Sequence, residues 1–92
     1  MGIRTLLLAQ QGKSREAIAQ FSQALQVEPD SAEAHNSLGA LLARQGELSK
    51  AIEHFREALR IKPGFRKAQR NLQIALQEVA RGGEAQESGD KQ

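Results

Sequence analysis

The chain contains no cysteine, no tryptophan and no tyrosine, and only three phenylalanines and two prolines. Without cysteine there is no disulfide framework, thiolate metal site, redox pair or cysteine nucleophile. With aromatics at 3% of residues, a core has to be assembled from Leu, Ile and Ala. Long hydrophobic runs are missing as well. The longest, Leu6-Leu7-Leu8-Ala9 and Ala40-Leu41-Leu42-Ala43, fall far short of the roughly 20 residues that a membrane span needs. The first run follows Met1-Gly2-Ile3-Arg4 in the manner of a signal peptide, but Gln10 and Gln11 interrupt it and no small-residue cleavage site follows. A soluble chain is expected, with no membrane partner and the cytoplasm as the favoured compartment.

What is present favours helix. Ala occurs 14 times, Leu 11 and Gln 11 in 92 residues, a length that suits one small folding unit and leaves no room for a large enclosed active site. The net charge is +2, spread unevenly: +3 over residues 1–80 and −1 over residues 81–92. That final stretch has no apolar residue larger than Ala, cannot offset its ordering entropy, and is expected to be a disordered tail behind a domain of residues 1–80.

Sliding the sequence by 34 positions superimposes Leu7, Leu8, Ala9, Gln11, Gly12, Ala17, Ile18, Phe21, Ala24, Leu25 and Pro29 on identical residues, Leu41 through Pro63. A third copy begins, as Ala34, Leu38 and Leu42 meet Ala68, Leu72 and Leu76, and stops after its first half. Within the complete copy the apolar period is helical on both sides of Gly46, so two helices lie between Asp30 and Lys62. Asp30-Ser31-Ala32-Glu33 supplies a capping-box-like start, Gly46 a left-handed stop, and Pro63-Gly64 the punctuation. Such short turns force antiparallel hairpins, which bury both apolar faces only by stacking. Small residues Gly39 and Ala51 on facing helices would let the backbones approach, with Phe55 beside them.

A 34-residue two-helix repeat carrying His35-x2-Leu38-Gly39-x2-Leu42, then Ala51-x3-Phe55, Ala58 and Pro63, resembles the tetratricopeptide repeat over residues 1–80. His35 and Leu42 stand where that family prefers Trp and Tyr; in the first copy Met1, Arg4 and Thr5 replace Trp, Leu and Gly. The expectation is an all-α, short α-solenoid of about two repeats plus a C-terminal capping helix. Its helices would run over residues 2–11, 14–27, 31–44, 48–61 and 65–80, with Ala68, Leu72, Leu76 and Val79 as the core stripe of the last.

The chemistry inventory is thin. His35 occupies a slot the family fills with a packed aromatic and reads as a structural histidine. His54 has only Glu57 one turn away as a co-ligand and reads as a solvated surface residue, so no metal site is expected. No glycine-rich phosphate loop opens a helix, and neither an enzyme nor a cofactor is expected. The resemblance implies a protein-interaction module that binds a peptide or helix in a concave groove. It places Glu33, Asn36, Ser37, Ala40, Ala43 and Arg44 there from one helix, and Lys67, Arg70, Asn71, Ile74, Gln77 and Glu78 from the last. Arg60, Lys62, Arg66, Lys67 and Arg70 form an acid-free run that suits an acidic peptide. No aromatic is interleaved for base stacking, so nucleic acid is not the expected partner. Relatives that clamp a peptide's C-terminal carboxylate use positions held here by Gly2, Leu6, Ser37, Lys67 and Asn71, of which only Lys67 matches. Asn71 alone fits the asparagine ladder of sugar-transferring relatives, and Ser37 breaks it. The alternative is an assembly role, as the C-terminal end of a longer solenoid or as a homodimer through the clipped N-terminal helix.

Overall fold

The computed structural model describes residues 3–82, with side chains from residue 13 onward; most of the tail, from residue 83, lies outside the described residues. Four helices follow one another: α1 (Ile3–Val27), α2 (Ala32–Arg44), α3 (Leu48–Ile61) and α4 (Arg66–Ala80). Short turns make neighbours antiparallel, α1 on α2, α2 on α3 and α3 on α4, and α2 and α4 also touch. This is the expected all-α solenoid geometry, in which alternate helices line one face.

The hairpin α2–α3 forms as its residues dictate. The Ser31 hydroxyl accepts a hydrogen bond from the Ala34 backbone N–H at 3.1 Å, capping α2, while the Asp30 side chain stays outside the cap. Gly46 sits at φ +87°, and the Gly46 and Glu47 N–H groups donate to the Ala43 and Leu42 carbonyls, closing the last turn of α2. Leu48, Ala51 and Phe55 then point back onto Leu38 and Leu42. At the crossing a Cβ on Gly39 would lie 2.6 Å from Phe55 Cε1 and 3.1 Å from the Ala51 carbonyl oxygen, so only glycine fits. A second cluster joins three alanines, Ala32, Ala58 and Ala68, where the start of α2, the end of α3 and the start of α4 converge.

Two expectations are corrected. The first copy does not fold into a hairpin over residues 2–11 and 14–27; α1 runs unbroken through Gly12. Three of the residues that fasten α2 to α3 have no equivalents there: Arg4 replaces Leu38, Thr5 replaces Gly39 and Ser14 replaces Leu48. A β-branched residue at the crossing excludes the close approach, and serine gives no apolar anchor after the turn, so continuing the helical hydrogen-bond ladder wins over turning. A single interior glycine costs the helix only about 1 kcal/mol. On α4, Leu76 is not core but 41% exposed, and Ala75 is buried instead. Leu76 corresponds to Leu42, whose cover is α3, and no helix among the described residues follows α4 to cover Leu76 in the same way.

Two outcomes are expected from these contacts. Gly39→Ala should lower stability by about 1–3 kcal/mol, since the fully buried Phe55 ring has nowhere to retreat; denaturant melts read this. Gly46→Ala should destabilise by about 1 kcal/mol, whereas the matching change Gly12→Ala should stabilise by about 0.5–1 kcal/mol. A destabilising Gly12→Ala would mean that the chain turns there.

Candidate functional site

The parallel pair α2 and α4 bounds a groove, floored by α3, with two hollows along it. One, of about 430 Å³, lies at the N-terminal ends of both helices and is lined by Glu33, Asn36, Ser37, Lys62, Gly64, Phe65, Arg66 and Lys67. The other, of about 250 Å³, lies further along between Ala40, Ala43, Arg44, Asn71, Ile74 and Glu78, with Leu48, Phe55 and Ala75 beneath. The small residues of α2 keep this second hollow open, and Ile74, 51% exposed, forms an apolar wall. Between the hollows Asn71 Nδ2 donates to Asn36 Oδ1 at 3.0 Å, tying α4 to α2.

Of the sequence-derived candidates, Glu33, Asn36, Ser37 and Lys67 line the first hollow and Ala40, Arg44, Asn71 and Ile74 the second; Arg70 is exposed and lines neither. Asn36 is buried rather than free, because its carbonyl oxygen serves Asn71. The basic run also divides. Arg60 is engaged by Glu57, at 2.6 Å from Nε, and lies 3.6 Å from Asp30. The Glu57 hydrogen bond, and less so its charge, raises the Arg60 pKa, and the same hydrogen bond lowers that of Glu57. Lys62 stands over the Phe65 ring at 4.9 Å. Arg66, Lys67 and Arg70 have no ion pair among the described residues, and no side chain caps α4. The first hollow therefore has an unneutralised cationic rim with Glu33 on its opposite side.

The family model that matches the chain is the tetratricopeptide repeat, over residues 6–64, which includes the whole α2–α3 hairpin. The chain belongs to the tetratricopeptide repeat family. No curated protein matches it. Tetratricopeptide repeats generally mediate protein–protein interaction and are generally non-catalytic. Among the described residues there is no group of three or more metal-ligating side chains, and no helix long and apolar enough to cross a membrane.

Sequence reasoning missed one pair. His54 is not a solvated surface residue: its Nδ1 lies 3.0 Å from His35 Nδ1 across the hairpin. The 5.3 Å between ring centres is the N···N distance plus a ring radius on either side, so the rings meet edge to edge, 29° from coplanar. His35 Nε2 lies 2.9 Å from the Pro29 carbonyl, which can only accept. In the neutral pair His35 therefore carries its proton on Nε2 and accepts from His54 Nδ1–H. The 34-residue offset alone could not reveal this, since His35 and His54 belong to different helices of one repeat. Burial, and then His35, lower the His54 pKa against the opposing pull of Glu53 and Glu57. With both rings charged, two N–H donors would confront each other at that contact.

A group whose folded pKa is depressed stabilises fully above its unfolded pKa and loses that contribution as pH falls. The melting temperature should thus decline between about pH 7 and pH 5, and His54→Gln should flatten that decline. An equal decline in the variant would remove the pair as its source.

Proposed function

We propose that this chain is a protein-interaction module whose α2–α4 groove takes an acidic peptide or helix, in an aqueous compartment such as the cytoplasm. The observation that carries this reading is the alignment of a cationic hollow with an apolar one on a single concave face. A ligand carboxylate belongs at Lys62, Arg66 and Lys67, where the free N–H groups of α4 add to the attraction. An aliphatic side chain a few residues away belongs against Ile74, over Ala40 and Ala43. The Asn36–Asn71 pair between them presents amide groups to a passing backbone. Glu33, Asn36 and Ser37 on the α2 wall make the first hollow polar, which selects a charged partner group over a hydrophobic one.

A second reading, favoured by the half-open Ala17–Phe21–Ala24 face of α1, is assembly. In it the chain forms the C-terminal end of a longer solenoid of such repeats, or a homodimer through the N-terminal helix.

Fluorescence polarisation with labelled peptides that carry Asp or Glu three to four residues from a leucine tests the groove. Lys67→Glu with Arg70→Glu should weaken binding by at least about tenfold, as losing and reversing charge contacts does. Arg56→Glu, exposed on α3, should leave binding unchanged. Affinity should fall with added salt, because exposed charges are screened over roughly 8 Å at physiological ionic strength. Equal affinity in all three proteins would contradict the groove reading.

A further inference from the structure

Helix α1 is longer than the body that supports it. Its 25 residues span about 37 Å, against about 20 Å for the 13 residues of α2, and α2 is the sole described helix it packs on. By length alone, nearly half of α1 has no counterpart along α2. Even over the supported part its cover is incomplete. Ala51, Phe55 and Ala58 of α3 are at most 1% exposed, while the residues matching them in the repeat, Ala17 and Phe21, are only half-buried and Ala24 is exposed. On α3 that strip is covered by the preceding helix of its own repeat; on α1 the preceding helix is missing because the chain did not turn back at Gly12.

The straight helix does something the expected hairpin could not: it aligns the apolar residues of both halves. Ile3, Leu7, Gln10, Ser14, Ala17, Phe21 and Ala24 follow one another at alternating steps of four and three, the spacing of a coiled-coil seam. We propose that this seam pairs α1 with α1 of a second copy, antiparallel, about a two-fold axis beside Gly12. In that register position 3 lies opposite the partner's Phe21, position 7 opposite the partner's Ala17 and position 10 opposite the partner's Ser14. In this register the two polar positions of the seam, 10 and 14, fall in the same layers. Each copy receives on its open α1 face the segment that repeat logic would have taken from its own chain. The pairing therefore continues the interface that α2 and α3 already make within the chain, and it is the exchange of an identical element that makes closed dimers at low cost. The same axis brings the two Lys13 residues together, a repulsion that the exposed side chains and salt moderate.

Sedimentation equilibrium across a concentration series tests the pairing. The wild-type chain should form a dimer and stop there, and Leu7→Glu, near the N-terminus of α1, should weaken it by about tenfold or more. Circular dichroism melts of that variant should show α2–α4 still folding cooperatively. Lys13→Gln should tighten the dimer, and added salt should tighten the wild type, opposite to its effect on groove binding. A nitroxide on Lys13→Cys, unique in a chain without cysteine, should report a close label on the second copy, which Arg56→Cys should not. A monomer at near-millimolar concentration, or a dimer indifferent to Leu7→Glu and Lys13→Gln, would overturn the proposal; peptide binding in the groove stands or falls separately.

Discussion

The structure depends on one close approach. Gly39 of α2 lies so near Phe55 and Ala51 of α3 that a methyl group would not fit between them. That contact lets a chain with three phenylalanines and no larger aromatic build a core, because Phe55, the one large side chain fully buried among the described residues, fills the space that glycine and alanine leave. Dispersion and apolar burial both scale with how tightly atoms meet, so small residues at the crossing compensate for the absence of tryptophan and tyrosine. Leu38, Leu42 and Leu48 close around the same point, and Ala75 brings α4 against it.

The groove follows from this arrangement. With α3 held against α2, and Ala32, Ala58 and Ala68 drawing the start of α4 to the same pair, α2 and α4 end up side by side with their outward residues facing solvent. Glu33, Lys67 and Ile74 among them are exposed, while Ala40 and Ala43 also pack against the core and the Asn36–Asn71 bond ties the two walls together. Where the crossing contact is absent, as in the first copy, the helix continues and its Ala17–Phe21–Ala24 strip is left half-open.

Much of this was legible in the residues. The 34-residue period, Gly46, Pro63 and the alanines placed α2, α3 and α4 to within a residue or so, since each boundary is written in local turn chemistry. The unbroken α1 was not legible from Gly12 alone, because a glycine permits a turn without requiring one; what decides is whether partners exist for the far side, and Arg4, Thr5 and Ser14 supply none. Leu76 misled for the converse reason: its period marks it as core, but its cover would have to come from a helix after α4. The groove candidates followed from the resemblance to the repeat family, yet the burial of Asn36 and the meeting of His35 with His54 depend on distances between helices, which no spacing along the chain encodes.

The central functional claim, that the α2–α4 face receives an acidic and apolar segment, is tested most directly by nuclear magnetic resonance. In a titration of the isotope-labelled chain with an acidic, leucine-containing peptide, shifts should concentrate on the backbone amides of Ser37, Ala40, Lys67 and Ile74 and on the side-chain amides of Asn36 and Asn71. The outer residues of α3, such as Glu53 and Arg56, should stay in place. Shifts centred on α3 or confined to α1, with the two asparagine side chains unmoved at saturation, would contradict the account.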